Sequence, residues 1–236
     1  MADSAEYREE TREAYRSGLR VAAYDRQLRG WTWMGWTMAR ECHLVGRALR
    51  RCQLPTSARV LDLPCGTGVL AQTFAAAPVT VVAADVSSEM LRLARSRYAP
   101  RNNTLFVAAD ALTPPFLADT FDCVVVIGFF HRLPDAERRL ALTALRRCSQ
   151  RYLIASFSLD GPARRLKLGL IKALRPGFQS APAPVSLEAL WEDFRAVGLR
   201  VVARWAVAPP LSSESVFLLE RVDPARPEGV SRPHIL

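Results

Sequence analysis

Three histidines, five cysteines and two lysines are all that the 236-residue chain offers of those types. The cysteines (Cys42, Cys52, Cys65, Cys123, Cys148) are scattered, odd in number and form no CxxC pair. That pattern excludes a disulfide framework and a structural zinc site; no metal is expected, and the expected compartment is a reducing cytoplasm. No apolar run approaches the roughly 18 residues that cross a bilayer. The first twenty residues carry charge throughout and lack the apolar core of a secretory signal. Half of the chain is hydrophobic and 23% is charged, which excludes an intrinsically disordered protein.

Acid is the scarcer charge. There are 23 Asp+Glu against 32 Lys+Arg, for a net +9, and the only lysines are Lys167 and Lys172. Such a balance permits contact with nucleic acid or an anionic membrane and establishes neither. The length fits one large α/β domain, or at most a domain with an extension.

Alternating acids and bases over 6–20, then an aromatic start (Trp31, Trp33, Trp36) leading into a face of Met38, Cys42, Val45 and Leu49, predict helices through residue 53. Pro55 and Ser57 break that pattern. Strands are expected at 58–63, 79–85, 104–110, 121–130 and 151–158. Helices are expected between them at 67–76, 87–98 (Ser87 as N-cap) and 134–148. This alternation predicts a parallel sheet with helices on both faces. Two further strands, 199–207 and 214–222, lie close enough to form an antiparallel hairpin. The expected organisation is an N-terminal helical cap (1–54), a body (55–222) carrying a lid-like insertion (160–186), and a tail (223–236).

Chemistry concentrates in Val60-Leu-Asp62-Leu-Pro64-Cys65-Gly66-Thr67-Gly68, which joins a strand to a helix. Glycines there let the backbone turn tightly and approach a ligand. Asp62 can bind an ammonium group or organise the loop. The second strand ends in Asp85, where an acid can accept from both hydroxyls of a ribose. The third ends in Asp110-Ala111, placed to bond an adenine amino group. All three acids stand at carboxyl ends of strands, where an open α/β sheet binds its ligands.

Together these residues resemble the class I S-adenosylmethionine-dependent methyltransferase family over roughly 55–222. The resemblance implies a Rossmann-like, seven-stranded, mostly parallel sheet closed by an antiparallel hairpin. Its cofactor would be S-adenosyl-L-methionine, and its reaction an in-line methyl transfer to a small-molecule acceptor. It assigns the cofactor to Asp62, Pro64, Cys65, Gly66, Gly68, Asp85, Val86, Asp110, Ala111, Ile127 and Phe129, with Tyr24 of the cap near the methionine end. Pro64 departs from the family, which usually has glycine there, so Cys65 and Gly66 must make the close approach.

At the end of the fourth strand, Phe130, His131 and Arg132 are candidates for the acceptor, and His131 has the pKa range of a general base. The plainer reading of His131 is a loop residue packed near the cofactor. Phe129 and Phe130 could clamp a cationic sulfur or simply fill the core. The tryptophans read most simply as a seam between helix and body.

A nicotinamide-dependent Rossmann enzyme competes poorly, because Gly66 and Gly68 are followed by Ala71 and no Tyr-x-x-x-Lys pair exists. A nucleic-acid methyltransferase lacks its Asn/Asp-Pro-Pro-aromatic motif, since Gly-Phe-Phe-His stands there, so nucleic acid is not the expected partner. Other attacks on the sulfonium, by aminocarboxypropyl transfer or cyclisation, stay open. The basic amphipathic segment 162–175 admits a membrane-surface helix, an anion-binding lid or a solvated helix. A monomer and a homodimer are both compatible with the sequence.

Overall fold

Short apolar runs rich in β-branched and aromatic residues become strands, and the first two stop at Asp62 and Asp85. In the computed structural model the strands are β1 (Arg59–Asp62), β2 (Thr80–Asp85), β3 (Thr104–Ala108), β4 (Phe121–Val126), β5 (Ser149–Ser158), β6 (Leu199–Ala206) and β7 (Glu214–Arg221). The structure describes residues 18–29, 31–99, 103–161, 185–209 and 212–222, with isolated positions 169 and 173. The tail and nearly all of the 160–186 insertion, including the 162–175 amphipathic segment apart from positions 169 and 173, lie outside the described residues.

The seven strands form one sheet in the order β3-β2-β1-β4-β5-β7-β6. The first five run parallel, and β7 enters antiparallel between β5 and β6. The expected mostly parallel sheet with a C-terminal antiparallel hairpin is therefore the one observed. Strands buried on both faces explain the continuous apolar run of β4, where Cys123 to Val126 are all fully buried.

Six helices flank the sheet among the described residues: α1 (Gly18–Arg29), α2 (Trp33–Cys52), α3 (Ala71–Ala75), α4 (Ser88–Tyr98), α5 (Asp135–Cys148) and α6 (Leu187–Ala196). They divide the core in two. Leu44, Val45 and Ala48 of α2, Phe74 of α3 and Leu91 of α4 cover one face. Leu142 of α5 and Leu190 and Phe194 of α6 cover the other. Capping follows the expected chemistry. The Ser87 side chain accepts from Met90 N, and Thr32 Oγ1 accepts from Gly35 N to start α2.

Among the boundaries that differ from expectation, three bear on the site. α3 begins at Ala71 rather than 67, because Gly66 (φ 53°) and Gly68 (φ 80°) are left-handed and cannot join a helix. β3 ends at Ala108, so Asp110 stands two residues beyond it. β4 ends at Val126, because Gly128 at φ 67° turns the chain away from the sheet.

Candidate active site

The carboxyl ends of β1, β2, β3 and β4 open into one cleft, roofed by α1 and α2, with a cavity volume of about 160 Å³. Asp62, Pro64, Cys65, Gly66, Asp85, Val86, Asp110, Ile127, Phe129, Arg132 and Tyr24 all line it. Residues spread over more than a hundred positions thus line one cleft. Four named positions lie elsewhere. Gly68 and Ala111 pack behind the wall, and the half-buried His131 is not among the lining residues. Phe130 is fully buried and stacks on Phe157, with centroids 4.7 Å apart, in the aromatic core below. The Phe129 ring is left as the one of the pair at the cleft.

Asp85 organises the turn. Its Oδ2 accepts from the backbone N–H of Gly66 (2.9 Å) and its Oδ1 from that of Ser87 (2.9 Å). A carboxylate has about four acceptor sites, so acceptor capacity remains for a ligand hydroxyl. Burial raises the Asp85 pKa, and the backbone donors Ser87, Gly66 and Val86 oppose that shift. Asp110 holds its own loop, accepting from Leu112 N at 3.0 Å. Asp62 is buried beneath the turn and accepts from the Tyr98 hydroxyl at 2.8 Å. Burial pushes its pKa up to about 7; the Tyr98 hydroxyl lowers it and the Asp85 charge raises it. Cys65 is likewise pushed well above the ordinary thiol range by burial, so it stays a thiol rather than a nucleophilic thiolate.

The two glycines of the turn do different work. A Cβ on Gly66 would meet nothing within 4 Å, so bare backbone faces the cleft. A Cβ on Gly68 would lie 2.9 Å from Ala94 Cα and 3.3 Å from Tyr98 Cδ2 of α4. Gly68→Ala is therefore expected to destabilise the fold by about 2–4 kcal/mol, from left-handed strain plus overpacking, read by urea denaturation. Gly66→Ala should pay only the backbone strain in stability, while its methyl intrudes on ligand in the cleft.

Tyr24 is fixed by a clamp that the sequence did not reveal. On α4, Arg97 donates to Thr67 O (2.9 Å), Thr67 Oγ1 (2.7 Å) and Asp25 Oδ1 of α1 (2.5 Å). The cap helix is thereby locked to the glycine turn, one residue from Tyr24. Burial, then the charges of Glu41, Asp85 and Glu214, push the Tyr24 pKa up to about 12. At neutral pH it is a hydroxyl donor and no base.

Glu41 of α2 was also missed. It is fully buried, hydrogen-bonded by Ser156 of β5, whose Oγ accepts from Gly128 N–H at 3.0 Å. Burial first, and the Glu214 charge second, push its pKa up to about 8, with the Ser156 bond opposing. A raised carboxyl favours the fold below its ordinary pKa of about 4.5, and that contribution is lost as pH rises toward 8. Glu41→Gln should therefore raise the thermal midpoint by about 5 °C or more at pH 8 and change it little at pH 5. Equal shifts at both pH values would contradict a protonated Glu41. The available signal was positional: Glu41 shares the inward stripe of Leu44, Val45 and Ala48.

Known proteins similar to this chain are methyltransferases. Residues 60–151 match the family model of a methyltransferase domain. A demethylmenaquinone methyltransferase of Thermobifida fusca is 37% identical over 102 residues, covering 42% of this chain and 43% of that protein. A ubiquinone/menaquinone biosynthesis C-methyltransferase of Cellvibrio japonicus is 34% identical over 112 residues, covering 44% of each. The chain thus spans under half the length of these curated relatives. Among solved structures, the magnesium protoporphyrin IX methyltransferase of Synechocystis with bound S-adenosylhomocysteine superposes with a TM-score of 0.73. It covers 91% of this chain and 99% of that one at 17% identity, a likeness of fold.

Proposed function

We propose that the chain is a class I S-adenosylmethionine-dependent methyltransferase, and that it moves a methyl group from S-adenosylmethionine to a small, largely apolar acceptor. The observation that carries this reading is the cleft itself: three acids and a bare glycine turn at the carboxyl edge of one sheet. The residues fit the cofactor. Gly66 leaves open space where a side chain would stand, and Asp85 keeps acceptor capacity after holding the turn.

When bound, S-adenosylmethionine supplies a methyl on a cationic sulfur, open to in-line displacement. Asp85 would accept from the ribose hydroxyls and Asp110 from the adenine amino group. Asp62, ionised, would offset the ammonium. Leu28, Met38, Val69, Leu70, Ile127 and Leu133 line the remainder and exclude water from the reacting centre. Phe129 and the Tyr24 ring supply aromatic faces for a cation. Proximity and orientation then carry most of the rate. An acceptor of quinone type is consistent with the names of the relatives and with this apolar lining.

Calorimetric titration with S-adenosylhomocysteine, with NADH in parallel, tests the cofactor. Micromolar binding of the former alone is expected; binding of NADH alone would overturn the reading. Transfer of labelled methyl to a demethylated naphthoquinol tests the acceptor class. Release of methylthioadenosine in place of S-adenosylhomocysteine would mean that the aminocarboxypropyl group is transferred.

A further inference from the structure

Helix α2 has two faces of opposite character. Its inner face gives Met38 to the cleft and Leu44, Val45, Ala48 and Leu49 to the core. Its outer stripe, at helical spacing, is Trp33, Trp36, Arg40, His43, Arg47 and Arg50, of which all but the aromatic pair are basic. Trp31 is fully exposed, and Trp33 and Trp36 are 48% and 47% exposed, with ring centroids 5.2 Å apart. Met34 beside them is also exposed. The expected seam between helix and body is not what these tryptophans form. The one acid of α2, Glu41, is buried, so nothing on the helix neutralises the stripe.

We propose that this outer face of α2 docks the chain on an anionic lipid bilayer, with Trp31, Trp33 and Trp36 seated at the headgroup level. Indole rings favour that level because one edge is polar and the body is apolar. Arg50, with Arg40 beside Val207 O (3.4 Å) and Arg47 over the Trp205 ring (5.6 Å), keeps exposed positive charge along the same face to meet the negative surface potential, and the net charge of +9 draws the whole chain toward it. A second copy is a poorer occupant. Two-fold pairing would bring two stripes of net positive charge together. Docking also orients the cleft. The two cap helices that supply its Tyr24, Leu28 and Met38 wall are joined at Trp31, so the roof lies at the surface and an apolar acceptor could enter without crossing bulk water.

Vesicle flotation tests this, using phosphatidylcholine alone and phosphatidylcholine with about one third phosphatidylglycerol. The full chain should float with the anionic vesicles and dissociate at high salt. Replacing all three tryptophans (W31A, W33A, W36A) should weaken binding by about tenfold or more. The variant should keep its thermal midpoint and S-adenosylhomocysteine affinity, because these side chains are outside the core. That affinity, measured without lipid, tests the cofactor reading separately. Failure to float, or flotation unchanged by the triple replacement, overturns the proposal. So does a variant whose only change is from dimer to monomer by sedimentation without lipid, since a second copy then covers the face. Capture of a single-stranded oligonucleotide through the same tryptophans, without vesicle binding, overturns it in favour of base stacking.

Discussion

Asp85→Ala should weaken S-adenosylhomocysteine binding by 100-fold or more, while His131→Ala should leave it within about twofold. Two hydrogen bonds from ribose hydroxyls to a charged acceptor are worth about 1.5–3 kcal/mol each. Their loss alone spans about 10² to 10⁴ in affinity, at 1.4 kcal/mol per decade. Removing the carboxylate also leaves the Gly66 and Ser87 N–H groups, now paired to it at 2.9 Å, without their acceptor. The turn loses its organiser together with the ligand's partner. Asp85→Asn separates the two roles. Its oxygen can still serve one backbone donor, but its amide must face the other, donor against donor. Calorimetry should rank wild type above Asn and Asn above Ala. If His131→Ala abolished binding instead, the half-buried His131 would belong to the cofactor site after all.

The second large effect is on pH. Asp62, with its pKa pushed up to about 7 by burial, is about half protonated at neutral pH in the free chain. An ammonium group favours the ionised form, so binding must remove that proton. Affinity for S-adenosylhomocysteine should therefore rise about tenfold from pH 6 to pH 8 and level off above. The sign follows from the raised pKa: the binding-competent anion is scarce below it and dominant above it. Calorimetry in buffers of different ionisation enthalpy should show about half a proton released at pH 7. Asp62→Asn should bind weakly and flatten the profile. A profile of the wild type that stays flat would mean that Asp62 serves only to hold Tyr98, which donates to it at 2.8 Å.

Much of this site could be read before any fold was known, because its signals are local. β-branched runs, glycine turns and acids at strand ends lie within a few residues of one another in the chain, and Asp62, Gly66, Asp85 and Asp110 all reach the cleft. The parts that escaped are those made by packing between distant elements. Nothing in the sequence around Arg97 marks it as the link between Asp25 and Thr67, since an arginine near a helix end normally points to water. Glu41 and Ser156 meet only because α2 packs against β5 and β7. Phe129 and Phe130 are adjacent and identical in type, so only the turn after Gly128 decides which enters the cleft and which stacks on Phe157. The tryptophans misled for a related reason: hydrophobic character argues for burial, and whether a surface exists to bury them is a property of the neighbours.

The reversed hairpin sets a condition on how the chain is made. β7 is the last described strand to be synthesised, yet it lies inside the sheet, pairing with β5 on one side and β6 on the other. Until it emerges from the ribosome, β5 presents an open edge, and Phe157 lacks its partner Phe217. Vectorial synthesis can assemble the β3-β2-β1-β4-β5 half early but cannot seal it. Nascent chains stalled before Glu214 should thus bind a holdase chaperone that releases them once Arg221 has cleared the exit.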